Sequence, residues 1–186
     1  MKVGDISDSL MPMLEDGKWA EGALEKDDNQ FTRRAYVRSM FSIIEGSIWV
    51  LKQTILQATV PKGRIVKMSV AEYSLLSDRS YDLKSNGIIQ EKVKYLKLPD
   101  NLVFTFGLLA KYFGAEFNLG IGEVEWENFR KAQVIRDRIT HPKAPAEFNI
   151  SDAEIAICRA TSTWFNKLIA AFFDRLKLNA KKINKA

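Results

Sequence analysis

The chain reads as an all-α protein, a helical bundle of about five or six helices with two long ones as its spine. Three observations predict this. Apolar residues recur every three or four positions from about Asn29 to Thr59. A second long amphipathic run starts at Ser151-Asp152-Ala153-Glu154, which has the form of a capping box. Shorter periodic segments lie between them, separated by Pro and Gly.

Residues 1–28 are acidic and weakly periodic, and Gly4, Pro12, Gly17 and Gly22 interrupt them. A loosely ordered N-terminal arm, or a short helix laid on the surface, is the expectation there. On the first long helix Val37, Met40, Phe41, Ile44, Ile48, Leu51 and Ile55 form one stripe. Arg34, Arg38, Glu45, Trp49 and Lys52 run along its edge. Val60-Pro61-Lys62-Gly63 ends this helix. Short helices are expected over Ser69–Ser77 and Ile88–Lys97. Pro99-Asp100-Asn101 then opens a helix to about Tyr112, capped by Asp100 or Asn101, although Leu102, Val103, Phe104 and Phe106 also fit a strand. Gly114–Gly122 reads as a loop. Its glycines are turn residues, since no Lys-Ser/Thr follows as a phosphate loop requires. Glu123–Thr140 is a helix. On the last helix Ala153, Ile157, Ala160, Trp164, Leu168 and Ala171 are the expected core stripe, widened by Phe165 and Phe172. The lysines from Lys177 to Lys185 match a helix C-terminus that frays into solvent.

At 186 residues the chain has length for one domain with a full core. A net charge of +5 and a pI near 9.2 permit a phosphate-bearing partner without demanding one. The single cysteine, Cys158, allows no internal disulfide, and with one histidine, His141, a zinc site of His and Cys is not expected. Neither a signal peptide nor a bilayer span is expected: Glu45, Asn166 and Lys167 interrupt the most apolar stretches. A cytoplasmic location follows, with no membrane partner, no metal and no cofactor.

The functional residues centre on Arg136-Asp137-Arg138-Ile139-Thr140-His141-Pro142-Lys143. Any imidazole chemistry must use His141. Pro142 disfavours helical geometry at His141 and sets it at a helix end. Phe129, Ala132, Ile135 and Ile139 define an apolar arc into which Arg136 falls, while Arg130 and Arg138 point to the polar side. A cation on a buried arc needs a carboxylate, a ligand or a partner's surface. Glu45, a carboxylate between Ile44 and Ile48, is the internal candidate, and a phosphate the external one. Glu45 has a second option in Arg38, seven residues earlier. On an ideal helix Arg136 and His141 stand roughly 140° apart. They converge only if the last turn unwinds or a second copy brings matching groups alongside. Otherwise His141 simply caps the helix.

The hexamer Arg136–His141 resembles the Arg-x4-His motif of the HEPN superfamily. The order of elements over roughly residues 30–178 is similar too: a long first helix with an internal acid, a late helix ending in the motif, and a closing helix. The resemblance implies a HEPN-like domain over 29–186, commonly dimeric, acting as a metal-independent endoribonuclease in toxin or defence roles. His141 would be the general acid or base and Arg136 would stabilise the phosphorane. Asp137 would orient the cluster, with Glu45, Arg38 and Arg138 in support. The implied partners are a second copy, RNA or a nucleotide, and an antitoxin protein. A toxin subgroup carries a tyrosine two residues after the histidine, where this chain has Lys143, so an antitoxin that modifies that tyrosine is not expected. Asp137 replaces the more frequent asparagine. The alternative is a non-catalytic module of the same kind that binds nucleotide or RNA, or dimerises. DNA binding through the basic tail is a third reading. Serine or cysteine hydrolase chemistry lacks a nucleophile signature.

Overall fold

The computed structural model describes residues 3–57, 68–114 and 117–183, and the side chains between residues 8 and 175. Among them the chain forms α1 (Val3–Lys26), α2 (Gln30–Gln57), α3 (Val70–Leu76), β1 (Arg79–Leu83), β2 (Ile89–Val93), α4 (Leu98–Phe113), α5 (Val124–Thr140) and α6 (Asp152–Ile183). A 3-10 turn at Pro145–Phe148 links the last two helices. The class is all-α, with one two-stranded ribbon added.

Helix α2 is the axis, touching α1, α3, α4, α5 and α6. Every residue of its expected stripe, from Val37 to Ile55, is buried. Each such side chain stabilises the fold by roughly 2 kcal/mol relative to an exposed position, which fixes this helix face toward the core. The breaker at Val60–Gly63 lies outside the described residues.

Three expectations are corrected. The first is the loosely ordered arm, which is instead the 24-residue helix α1, seated along α2. Leu10, Ala20 and Leu24 are buried there, in the same core as the rest. Of the glycines read as interruptions, Gly17 sits close to α2: a Cβ there would displace the end of the Ile43 side chain, as one on Gly46 of α2 would displace that of Met13. Each glycine costs about 1 kcal/mol of helix propensity, which burial of the apolar face outweighs.

The second correction concerns residues 88–97, which form a strand and its exit rather than a helix. β2 pairs antiparallel with β1, Tyr81 opposite Glu91 and Leu83 opposite Ile89. Ser85-Asn86-Gly87 is the connection, with Gly87 at φ 79. Lys84 and Ile88 close it by one backbone hydrogen bond of 2.9 Å. This three-residue hairpin demands a left-handed residue at its third position, and glycine supplies it. Alternation along β2 puts Ile89, Glu91 and Val93 on one face with Tyr81 and Leu83, and Gln90 and Lys92 on the other with Ser80 and Asp82.

The third correction is the α6 stripe, which is rotated from the expected one. Ile155, Cys158, Thr161, Phe165 and Phe172 face the core beside Trp164 and Leu168, whereas Ala153, Ala160 and Ala171 are exposed. Apolar residues lie outside the buried face as well, and the aromatic cluster of Trp126, Phe129 and Trp164 packs α6 against α5 at one edge of that face.

Smaller adjustments follow local chemistry. Helix α4 starts at Leu98 with Lys97 as its cap, because Pro99 fits the first turn, where no N–H is needed. Gly114 ends it in the left-handed region at φ 63. Gly120 and Gly122 also have positive φ and act as turn residues. Ser69 and Glu72 form a capping box on α3. Ser151 and Glu154 form the expected one on α6, the Ser151 N–H donating to Glu154 at 2.8 Å. The α6 backbone continues to Ile183, and the side chains of the basic tail lie outside the described residues. No helix among the described residues is long and apolar enough to cross a membrane.

Candidate functional site

Helix α5 buries Phe129, Ala132, Ile135 and Ile139, the arc read from the sequence. That orientation carries Arg136 to the groove between α5 and α2. Its Nη2 pairs with the Glu45 carboxylate, and its Nη1 donates to Asp137 Oδ1 at 2.9 Å. The guanidinium also lies over the Phe41 ring, 5.6 Å from the centroid. So Glu45 meets a cation from a neighbouring helix, and Arg38 takes another role. The Arg38 Nη2 donates to the Ile139 carbonyl at 3.1 Å, satisfying a carbonyl that the end of α5 leaves open.

His141 is the C-cap of α5, and its N–H donates to the Asp137 carbonyl at 2.9 Å. The last turn therefore stays wound. The chain bends at His141 itself, with φ −126 and ψ 57, as the following proline requires. The imidazole is exposed and makes no hydrogen bond among the described residues. Even with the last turn wound, the Arg136 and His141 side chains border the same space. Arg136, Asp137, His141 and Glu45 all line one open cleft of ≈ 750 Å³, within a single copy of the chain.

Arg138 departs from the expected polar side. Its Nη2 donates to the Asn149 carbonyl at 2.7 Å, and its Nη1 pairs with Glu154 at 3.0 Å. Burial raises the Glu154 carboxyl, but the Ser151 N–H and the Arg138 guanidinium outweigh it and hold the group below its usual range. Arg138 thus ties α5 to α6 rather than entering the cleft.

Sequence reasoning passed over the residues that hold the segment after His141. Gln30 exchanges two hydrogen bonds with the Ile150 backbone, at 2.8 and 3.0 Å. Arg33 donates to the same carbonyl at 2.8 Å and bridges Asp28 and Asp152. Arg34 lies over the Phe148 ring. The signal was present as a run of cations on the first turns of α2, with no acid in that turn.

Cys158 is buried, and burial pushes its thiol up to about 12, which leaves no thiolate at neutral pH. Among the described residues no three His, Cys, Asp or Glu side chains come together as a metal site. The cleft offers a guanidinium, a free imidazole and two carboxylates. That set can move a proton, and it can bind an anion that displaces a carboxylate from Arg136. Comparison with protein-family models, curated proteins and solved structures finds no match.

Proposed function

We propose that this protein is a metal-independent endoribonuclease resembling the HEPN superfamily, with Arg136 and His141 as its catalytic pair. The observation that supports this most directly is their shared cleft, where an unengaged imidazole opens to solvent beside a guanidinium. In the proposed reaction His141 takes the proton of the RNA 2′-hydroxyl. The freed oxygen attacks the adjacent phosphorus while Arg136 stabilises the charged phosphorane. The 5′-oxygen of the next nucleotide leaves with a proton from an acid, so the products are a 2′,3′-cyclic phosphate and a 5′-hydroxyl. A homodimer provides that acid as the second His141. The setting is a cytoplasmic toxin or defence protein, with an antitoxin as regulator. With Lys143 two residues after His141, that regulator acts by some route other than modifying a tyrosine there.

The test is cleavage of labelled single-stranded RNA in the presence of a chelator. His141→Ala and Arg136→Ala should each reduce the rate by on the order of 100-fold or more. RNA left intact over a range of substrates by the purified dimer removes the catalytic reading. A second reading, a non-catalytic nucleotide- or RNA-binding module, is favoured by the Arg136–Glu45 pair, which already neutralises the cation. It predicts that Arg136→Ala lowers stability or ligand affinity while His141→Ala changes little.

A further inference from the structure

The cleft has a second wall that the motif does not use. It is built by the segment leaving β2 and by the first turn of α4, where Tyr95 and Asn101 line the cleft. Tyr95 is 87% exposed and has neither a hydrogen bond nor a ring partner among the described residues. A phenol ring left that open adds nothing to the core. The Asn101 Oδ1 is sealed from water and has no hydrogen-bond partner. Unpartnered buried carbonyls are uncommon because they lose hydration without compensation. Gln133, one turn before Arg136 on α5, lines the cleft as well, and its carboxamide is likewise without a hydrogen bond among the described residues.

One planar ring and two unused carboxamides, next to a guanidinium, make a chemically specific set. An aromatic ring offers a stacking surface to any unpaired base. A carboxamide presents one donor and one acceptor side by side, which matches the N6–H and N7 edge of adenine. A nucleobase engages both at once, its face on the ring and its edge on the amides. We propose that this wall is a nucleobase seat: Tyr95 stacks on an unpaired base of single-stranded RNA, and the carboxamides of Asn101 and Gln133 bond its edge. Adenine is the preferred base, and Asn101 turns its amide toward the ligand on binding. The seat deepens the ribonuclease reading, since it places one nucleotide's base beside the phosphate at Arg136, but it does not depend on cleavage.

Calorimetric titration of the full chain with adenosine, uridine and ribose 5-phosphate tests it, because the nucleosides carry no charge for Arg136 to attract. Adenosine should bind more tightly than uridine. Tyr95→Ala should weaken adenosine by roughly tenfold or more, and Tyr95→Trp should restore it. Asn101→Leu should narrow the adenosine–uridine difference. Thermal melting of each variant checks folding, and Tyr95→Ala is expected to melt with the parent because the ring is exposed. Equal binding of adenosine by the parent and by Tyr95→Ala overturns the seat, as does ribose 5-phosphate binding while adenosine does not. RNA cleavage read in parallel separates the two ideas. Tyr95-dependent adenosine binding without cleavage keeps the seat and removes the nuclease. Cleavage whose cut-site preference ignores Tyr95→Ala keeps the nuclease and removes the seat.

Discussion

Glu45 and Lys52 stand two turns apart on α2, and each is half of an ion pair with a later segment. Lys52 pairs with Asp78, the residue after the α3 C-cap, and the lysine side chain is only 1% exposed. Glu45 pairs with Arg136, and both remain open to solvent, at 43% and 26%. Burial of the ammonium makes the first pair structural: left unpaired, it costs several kcal/mol, to order of magnitude. The second pair sits at the edge of a cleft, where water or an incoming phosphate can replace either partner at low cost. A paired cation on this helix bundle is therefore a binding candidate only where its surroundings let the partner be exchanged.

The sharpest way to break this contrast is to remove the acid that pairs with the buried ammonium. Asp78 has φ 52, a conformation that Asp and Asn both tolerate. Asp78→Asn keeps that preference and leaves Lys52 without a counter-charge, so a loss of about 3 kcal/mol or more is expected in urea unfolding. Lys52→Met should be far milder, because Asp78 is 36% exposed and can hydrate on its own. Equal losses from the two variants would mean that burial of the Lys52 ammonium does not set the cost.

At the open pair, Arg136→Ala and Glu45→Gln should each change stability by less than about 1 kcal/mol, measured in the same unfolding experiment. A loss as large as that of Asp78→Asn would make Arg136 a structural residue and would favour the non-catalytic reading.

The smallest effect belongs to a surface pair that joins α3 to α4. Lys111 and the Ser69 N–H hold the Glu72 carboxyl down to about 2. Because the folded value lies below the ordinary 4.5, Glu72 adds stability at neutral pH that fades as pH falls from about 4.5 toward 2. Glu72→Gln should be slightly less stable than the parent at pH 7 and should converge with it in acid. A difference that grows on acidification would contradict the pairing.

Much of the fold was legible because burial and period agree. The α5 stripe is narrow, and the apolar residues read on α2 all fall within its broad buried face, so the sequence set both orientations. The α6 stripe was misread by about one position because Ala153, Ala160 and Ala171 continue the same period outside the buried face, and only packing against α2 and α5 chooses among the apolar residues. A short surface helix was one reading of residues 1–28; the length and burial of α1 were not legible, because its helix-breaking residues are local signals whereas its apolar face is buried by packing on α2. The hairpin was missed because short apolar runs fit either period; Asn86-Gly87 was the usable cue. At the site, Arg136, its pairing with Glu45 and the helix-end position of His141 were readable from spacing and from Pro142. Tyr95 and Asn101 were not, since their significance lies in facing a helix more than thirty residues away.

By itself the sequence determined the helical class, the long central helix, the capped start of α6 and the placing of an arginine and a histidine at the end of α5. Those features depend on interactions within a few residues, where periodicity, caps and proline sterics act. The tertiary structure alone decided which face of α6 is buried, that α1 joins the core, and that Arg136, His141 and Tyr95 share one cleft. Those outcomes depend on contacts between segments far apart in the chain, whose energies exist only once the helices have packed.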